Sequence, residues 1–299
     1  MIKRWSIYFK EMFGLPKEIA VGFVVFLEIY FIILLNNRVT DFKVGLQEII
    51  GGFTVFAFLM FLRIADDFKD YETDSILFPQ RPLPSGRVKK KDLIIVLAIV
   101  TVITFVLNLV FMNNQLFFLF LYFYGFLMSK WFFQKYKIQK NLPLALVTHN
   151  PVQMVINIYI ISFTCIKYSL SPFTWITFLA AWTLYFPALI WEICRKIRAP
   201  KDETEYVTYS SLFGYVKATR FILILTIVDI LTNIGLIFSL NIFTVFALLI
   251  NVAWMTWMFI RFMKNPQQFA LKGKVETYTL IQESIMLLTV VVYLMIGKV

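Results

Sequence analysis

From Leu93 to Met112 the chain runs for twenty residues without a charged side chain. That is the length of a helix crossing the hydrocarbon core of a bilayer, about 20 residues at about 1.5 Å each. Runs of the same character occur at 18–36, 45–65, 115–134, 142–165, 172–194, 216–238, 241–262 and 278–297. With 60% of 299 residues hydrophobic and 16% charged, the chain carries more apolar surface than one aqueous core hides. The runs are about twice the length of a barrel strand and do not alternate, which argues against a membrane barrel. The pattern predicts an all-α polytopic membrane protein with nine transmembrane helices. It excludes a soluble enzyme, a disulfide-stapled secreted domain and a disordered chain.

The formal charge of +11 does not point to nucleic acid, because the basic residues cluster in short segments between apolar runs. Taken alternately, the connections sort 25 of the 29 Lys and Arg residues to one side. Arg38, Lys43, Lys167 and Lys298 are left on the other. The positive-inside rule then predicts a cytoplasmic N-terminus and an external C-terminus, in the inner or plasma membrane of the cell. No signal-peptide pattern precedes the first run, which is expected to remain as a span. Residues 1–13 mix Lys3, Arg4 and Lys10 with Trp5, Tyr8, Phe9 and Phe13, the composition of a helix lying on the membrane surface. Cys165 and Cys194 fall at opposite ends of spans, so no structural disulfide is expected, and one His without a CxxC argues against zinc.

Two cytoplasmic connections are long: one from Arg63 to Asp92, the other from Glu192 to Tyr215. They follow the second and sixth spans. The 299 residues therefore read as a single domain made of two four-helix units, about 18–134 and 142–262, plus a ninth helix at 278–297.

The first connection contains Asp66, Asp67, Asp70 and Asp74. Asp66, Asp70 and Asp74 recur every four residues, so a helix continuing from the second span stacks them along one face, with Asp67 flanking. At ~6 Å and an effective dielectric near 20, each pair of carboxylates repels by about 3 kcal/mol. Hard divalent cations relieve that repulsion. Mg²⁺ in particular sits on one or two carboxylates and keeps places for phosphate oxygens. Next comes Phe78-Pro79-Gln80-Arg81-Pro82-Leu83-Pro84-Ser85-Gly86-Arg87, whose prolines end the helix and fix a turn presenting Arg81 and Arg87. The second connection supplies Glu192, Arg195, Lys196, Arg198, Asp202, Glu203 and Tyr209. Interleaved acids and bases on one membrane face suit a metal-bridged diphosphate. A purely solvated charged face leaves the four-residue repeat unexplained.

The run Asp66-Asp67-x-x-Asp70-x-x-x-Asp74 followed by Arg81-Pro82-Leu83-Pro84-Ser85-Gly86 resembles the first aspartate-rich motif and proline turn of the UbiA superfamily of intramembrane prenyltransferases. The resemblance implies nine helices around a central cavity, with acidic motifs after the second and sixth. It implies Mg²⁺-dependent transfer of a polyisoprenyl group from a prenyl diphosphate to an acceptor it does not identify, with the active site at the cytoplasmic face. Carried over by position, Asp66, Asp67, Asp70, Asp74, Glu192, Asp202 and Glu203 stand as metal ligands. Asp67, Asp70, Asp74, Glu192 and Arg195 are expected to carry catalysis, and Arg81, Lys130, Lys196, Arg198 and Tyr209 to bind the diphosphate. Asp66 stands where the family usually has Asn. The second motif departs further, since Glu192 is followed at the family's spacing by Lys196, with Arg195 beside it. Part of the metal's charge-neutralising role is thereby expected to pass to Arg195, Lys196 and Arg198, and the run Trp191-Glu192-x-x-Arg195-Lys196-Ile-Arg198-x-Pro200-x-Asp202-Glu203 resembles that of a less characterised branch of the superfamily. A terpene cyclase on the same fold is the alternative chemistry, and a transporter or inactive scaffold the non-enzymatic ones.

His149, in the fifth span, is the only histidine and a candidate base for an acceptor, or else a hydrogen-bonded side chain beside a kink at Pro151. Glu28, Glu48, Asp229 and Glu283 fall inside or at the ends of spans, where an acid costs about 2.5–3.5 kcal/mol, so each is expected to face the bundle interior.

Overall fold

The computed structural model of the protein describes residues 1–204 and 207–297; Lys298, one of the four basic residues assigned to the outer side, lies outside them. The fold is all-helical among these residues. The helices are α1 (Ile2–Glu11), α2 (Leu15–Asn36), α3 (Leu46–Lys69), α4 (Tyr71–Leu77), α5 (Lys90–Phe111), α6 (Gln115–Ser129), α7 (Lys135–Gln139), α8 (Leu142–His149), α9 (Val152–Lys167), α10 (Trp175–Trp182), α11 (Tyr185–Cys194), α12 (Tyr209–Phe213), α13 (Tyr215–Ile237), α14 (Ile242–Lys264) and α15 (Leu271–Ile296). Eight segments among the described residues are long and apolar enough to cross a membrane. The fourth expected span is the exception: α6 has 15 residues and ends in a left-handed turn at Trp131, Phe132 and Phe133, with φ of 53°, 48° and 58°.

Two of the runs are interrupted. Pro151 lacks an N–H and separates α8 from α9. Leu184, at φ 55°, separates α10 from α11. The carbonyls of Ala181 and Thr183 freed by the second break accept from Asn157 Nδ2 at 3.1 and 2.5 Å. Side-chain caps start α8 at Asn141, α10 at Thr174 and α14 at Asn241.

The chain divides into two compact units. One comprises Met1–Leu27, Asp41–Tyr136 and Ser162–Leu170. In it α3 packs against α5 and α6. Gly22 lies where a Cβ would stand 2.6 Å from the Phe56 backbone nitrogen, so α2 and α3 cross at backbone distance. Asn108 Nδ2 donates to Thr54 Oγ1 at 2.8 Å inside this unit. Buried Glu48 pairs with Lys167 and accepts from the Gly45 N–H at 2.9 Å.

The other unit comprises Glu28–Thr40, Lys137–Ile161 and the chain from Ser171 onward. Its apolar core gathers Phe186, Ile190, Ile193, Ile222, Met255, Phe259, Phe262 and Val275 from α11, α13, α14 and α15. Threading it is a polar chain: Thr183 Oγ1 donates to Asn233 Oδ1 at 2.7 Å, and Asn233 Nδ2 donates to Asp229 Oδ1 at 2.8 Å. Glu28 and Asp229 are buried, as expected of acids within spans, whereas Glu283 is partly exposed.

Candidate active site

The first acidic segment lies at the end of α3, which is 24 residues long and so carries Asp66 and Asp67 past its apolar part. The helix stops at Asp70, with φ −99° and ψ 8°, and resumes as α4. Asp67 and Asp74 both point inward and line one small cleft with Tyr8, Met12, Arg81, Leu83 and Pro84. Asp66 faces elsewhere: its carboxylate is 48% exposed and pairs with Lys69 Nζ at 2.6 Å. The buried pair is thus 67 and 74, two full turns apart, and not the 66, 70, 74 stripe.

Each buried carboxylate meets a guanidinium. Arg63 Nη2 is 3.0 Å from Asp67 Oδ1, and Arg81 Nη1 donates to Asp74 Oδ2 at 2.6 Å. The Asp67 Oδ2 atom accepts from the Tyr8 hydroxyl at 2.6 Å. Burial, and then the Asp67 charge, hold the Tyr8 phenol above its ordinary pKa, so it stays a donor. Asp70 is also held above the carboxylate range, chiefly by burial; Lys69 opposes this, while Asp66, Asp74 and Asp67 reinforce it.

The proline turn is rigid because its apolar residues are anchored. Leu83 and Val88 are buried in the core of α1, α3 and α5, and Gly86 takes the left-handed φ of 75° the turn needs. Arg81 is thereby presented to the cleft, stacked on the Phe78 ring at 4.1 Å. It also lines a wider, open cavity of about 400 Å³ with Glu11, Met12, Arg63, Gln80 and Pro82. Arg87, expected to be presented by the same turn, is bound to Glu11 at 2.6 and 2.9 Å. The exposed Lys130 caps α6, and the next residue, Trp131, carries Lys69 over its ring at 4.6 Å.

The second segment belongs to the other unit. Glu192 near the end of α11 accepts from Arg195 at 2.8 Å and pairs with Lys196 Nζ at 3.0 Å. Two bases on one acid leave a net positive charge. Arg198 donates through Nη1 to Thr204 Oγ1 at 2.8 Å, and its backbone N–H donates to Ser210 Oγ at 2.8 Å. Buried Tyr209 gives its N–H to the Lys196 carbonyl at 2.8 Å. Glu203 accepts from Thr208 at 2.7 Å, and Asp202 is exposed in the turn Pro200–Asp202. His149 ends α8, with Nδ1 3.0 Å from Thr148 Oγ1, beside the break at Pro151.

Among the described residues, no three acidic, histidine or cysteine side chains form a ready-made metal cage. Asp67 and Asp74 do share a cleft, and an all-oxygen pair of carboxylates fits Mg²⁺, which leaves its other positions to water and phosphate.

Residues 25–274 match the UbiA prenyltransferase family. The chain belongs to that family. It is therefore a prenyltransferase of the membrane, in keeping with its multi-pass apolar helices. A solved structure of a digeranylgeranylglyceryl phosphate synthase is similar over 97% of this chain and 98% of that one, with a TM-score of 0.61 at 19% identity. At that identity the likeness is one of fold. No curated protein matches the chain by sequence.

Two residues bonded to Asp67 escaped the sequence reading. Arg63 stands one helical turn before Asp67, so its spacing was a signal. Tyr8 lies 59 residues from its partner, and no local pattern reports such a contact.

Proposed function

We propose that this UbiA protein transfers a polyisoprenyl group from a prenyl diphosphate to an acceptor in a Mg²⁺-dependent reaction, with its acidic segments at the cytoplasmic face. The observation that carries the reading is the convergence of Asp67, Asp74 and Arg81 on one cleft just beyond the second apolar helix. Asp67, Asp70 and Asp74 would hold the metal, whose charge neutralises the diphosphate and eases its departure. Arg81, braced by Asp74 and Phe78, offers its remaining N–H groups to phosphate oxygens. In the second segment, where Lys196 replaces the family's usual acid, Arg195 and Lys196 together outweigh the charge of Glu192. The apolar helices around the site keep water from the allylic centre.

The synthase similar in fold makes a phosphate-bearing glyceryl lipid, as its name says. A phosphorylated acceptor suits the wider cavity here, which Arg63 and Arg81 line. The test incubates purified protein with Mg²⁺, labelled prenyl diphosphates of several lengths, and glyceryl phosphate or aromatic acceptors. Diphosphate release that requires an acceptor is the expected result. Release with a cyclised hydrocarbon and no acceptor would make the protein a cyclase, and no release from any donor would overturn both.

A further inference from the structure

The N-terminal helix α1 has no part in the transfer reaction as read above, yet it is tied to the first acidic segment more firmly than a surface helix needs. Arg4 donates to Asp92 at 2.5 and 2.9 Å, and Trp5 Nε1 donates to the Asp92 carbonyl at 2.8 Å. At the other end Glu11 takes the bidentate grip of Arg87. Between these ties Tyr8 is fully buried against Phe56, Met60 and Ile64, and its hydroxyl reaches Asp67. The aromatic face expected on lipid thus packs largely on protein. A phenylalanine at position 8 would serve that packing equally well. A hydroxyl buried there is desolvated, and only its bond to the carboxylate offsets the cost.

We propose that α1 is a strap completing the diphosphate site, and that Tyr8 is a positioning residue fixing the Asp67 carboxylate. This rests on the function proposed above. Asp67 has one oxygen on Arg63 and the other on Tyr8, so its plane is set by two partners from different helices. Arg63 is a long side chain on the same helix and cannot orient the group alone. A carboxylate that must meet a cation or a phosphate-bound metal works best when already oriented. Met12 of the same N-terminal segment also lines both the small cleft and the wider cavity.

The test uses the full chain in lipid nanodiscs, with Tyr8→Phe, Asp67→Asn and the double variant. Calorimetry reads the affinity for inorganic diphosphate in Mg²⁺, and hydrogen exchange reads residues 66–74. Tyr8→Phe is expected to weaken binding about tenfold, or about 1.4 kcal/mol, in the native background, and to change nothing once Asp67 is Asn. KM for the prenyl diphosphate should rise more than kcat falls, with the unfolding temperature little changed. Equal losses in both backgrounds, or no loss in the native one, would overturn the strap. If the native protein binds no diphosphate, the functional reading fails instead. Hydrogen exchange then decides the strap: faster exchange at 66–74 in Tyr8→Phe supports it, and unchanged exchange refutes it.

Discussion

Arg81 and Asp74 meet at 2.6 Å across the turn that begins at Pro79, so the segment closes on itself with both side chains lining the cleft. A planar fork can serve both partners at once, whereas an ammonium is a point charge. Arg81→Lys should therefore raise KM for the prenyl diphosphate about tenfold, and Arg81→Ala should lower kcat/KM about a hundredfold, at about 1.4 kcal/mol per factor of ten. Diphosphate release at varied donor concentration checks both.

The acids of the first segment should not be equivalent. Asp67→Asn and Asp74→Asn remove charge from the cleft and are expected to cut turnover by at least about a hundredfold. Asp66 is half-exposed and engaged with Lys69, so Asp66→Asn should change turnover less than about threefold. Parallel assays on protein of matched size-exclusion profile decide the point. A loss at Asp66 equal to that at Asp74 would restore the four-residue stripe.

Packing makes a separate prediction. A methyl group on Gly22 would overlap the Phe56 backbone, so Gly22→Ala should destabilise the protein by about 1–3 kcal/mol. Gly273, with nothing within 4 Å of its ideal Cβ, should accept alanine without loss. Thermal unfolding in one detergent compares them.

Acid should loosen α1. The hydrogen bond from Arg87 holds the Glu11 carboxyl below its ordinary pKa. The sign follows: its stabilisation is complete above the ordinary value of 4.5 and is lost as pH falls through the lower folded value. Protection from hydrogen exchange across residues 2–11, corrected for the intrinsic rate, should be high at neutral pH and fall once the pH is below 4.5, and Glu11→Gln should lower it at neutral pH but not after the native carboxyl is protonated.

The broken sixth run offers one more. Asn157 donates through its amide to the carbonyls of Ala181 and Thr183, the second of which also takes the Tyr185 N–H, so Asn157→Leu should cost about 1–3 kcal/mol through those buried acceptors. Chemical or thermal unfolding measures it.

The apolar runs made the helices legible, because span length and hydropathy are local properties: the runs at 216–238 and 241–262 match α13 and α14 to within two residues at each end. The breaks were harder. Pro151 announced one, and Pro187, which cannot donate to the Thr183 carbonyl four residues back, was a signal for the break at Leu184, but the left-handed turn at Trp131 has no glycine or proline to betray it. Helical arithmetic held the answer at the first motif. Positions seven apart drift about 20° on a helix, and positions eight apart about 80°, so Asp67 and Asp74 were the better-aligned pair. Tyr8 was unreadable for another reason. Its aromatic face looks the same whether lipid or protein covers it, and its carboxylate partner is encoded in a different helix.

The shortness of α6 bears on the membrane itself. Fifteen residues rise about 22 Å, against hydrocarbon about 30 Å thick. Beside α6 the two leaflets must pinch inward or the aromatic turn at Trp131 must sink into the acyl layer, so lipids with shorter tails should gather along that flank.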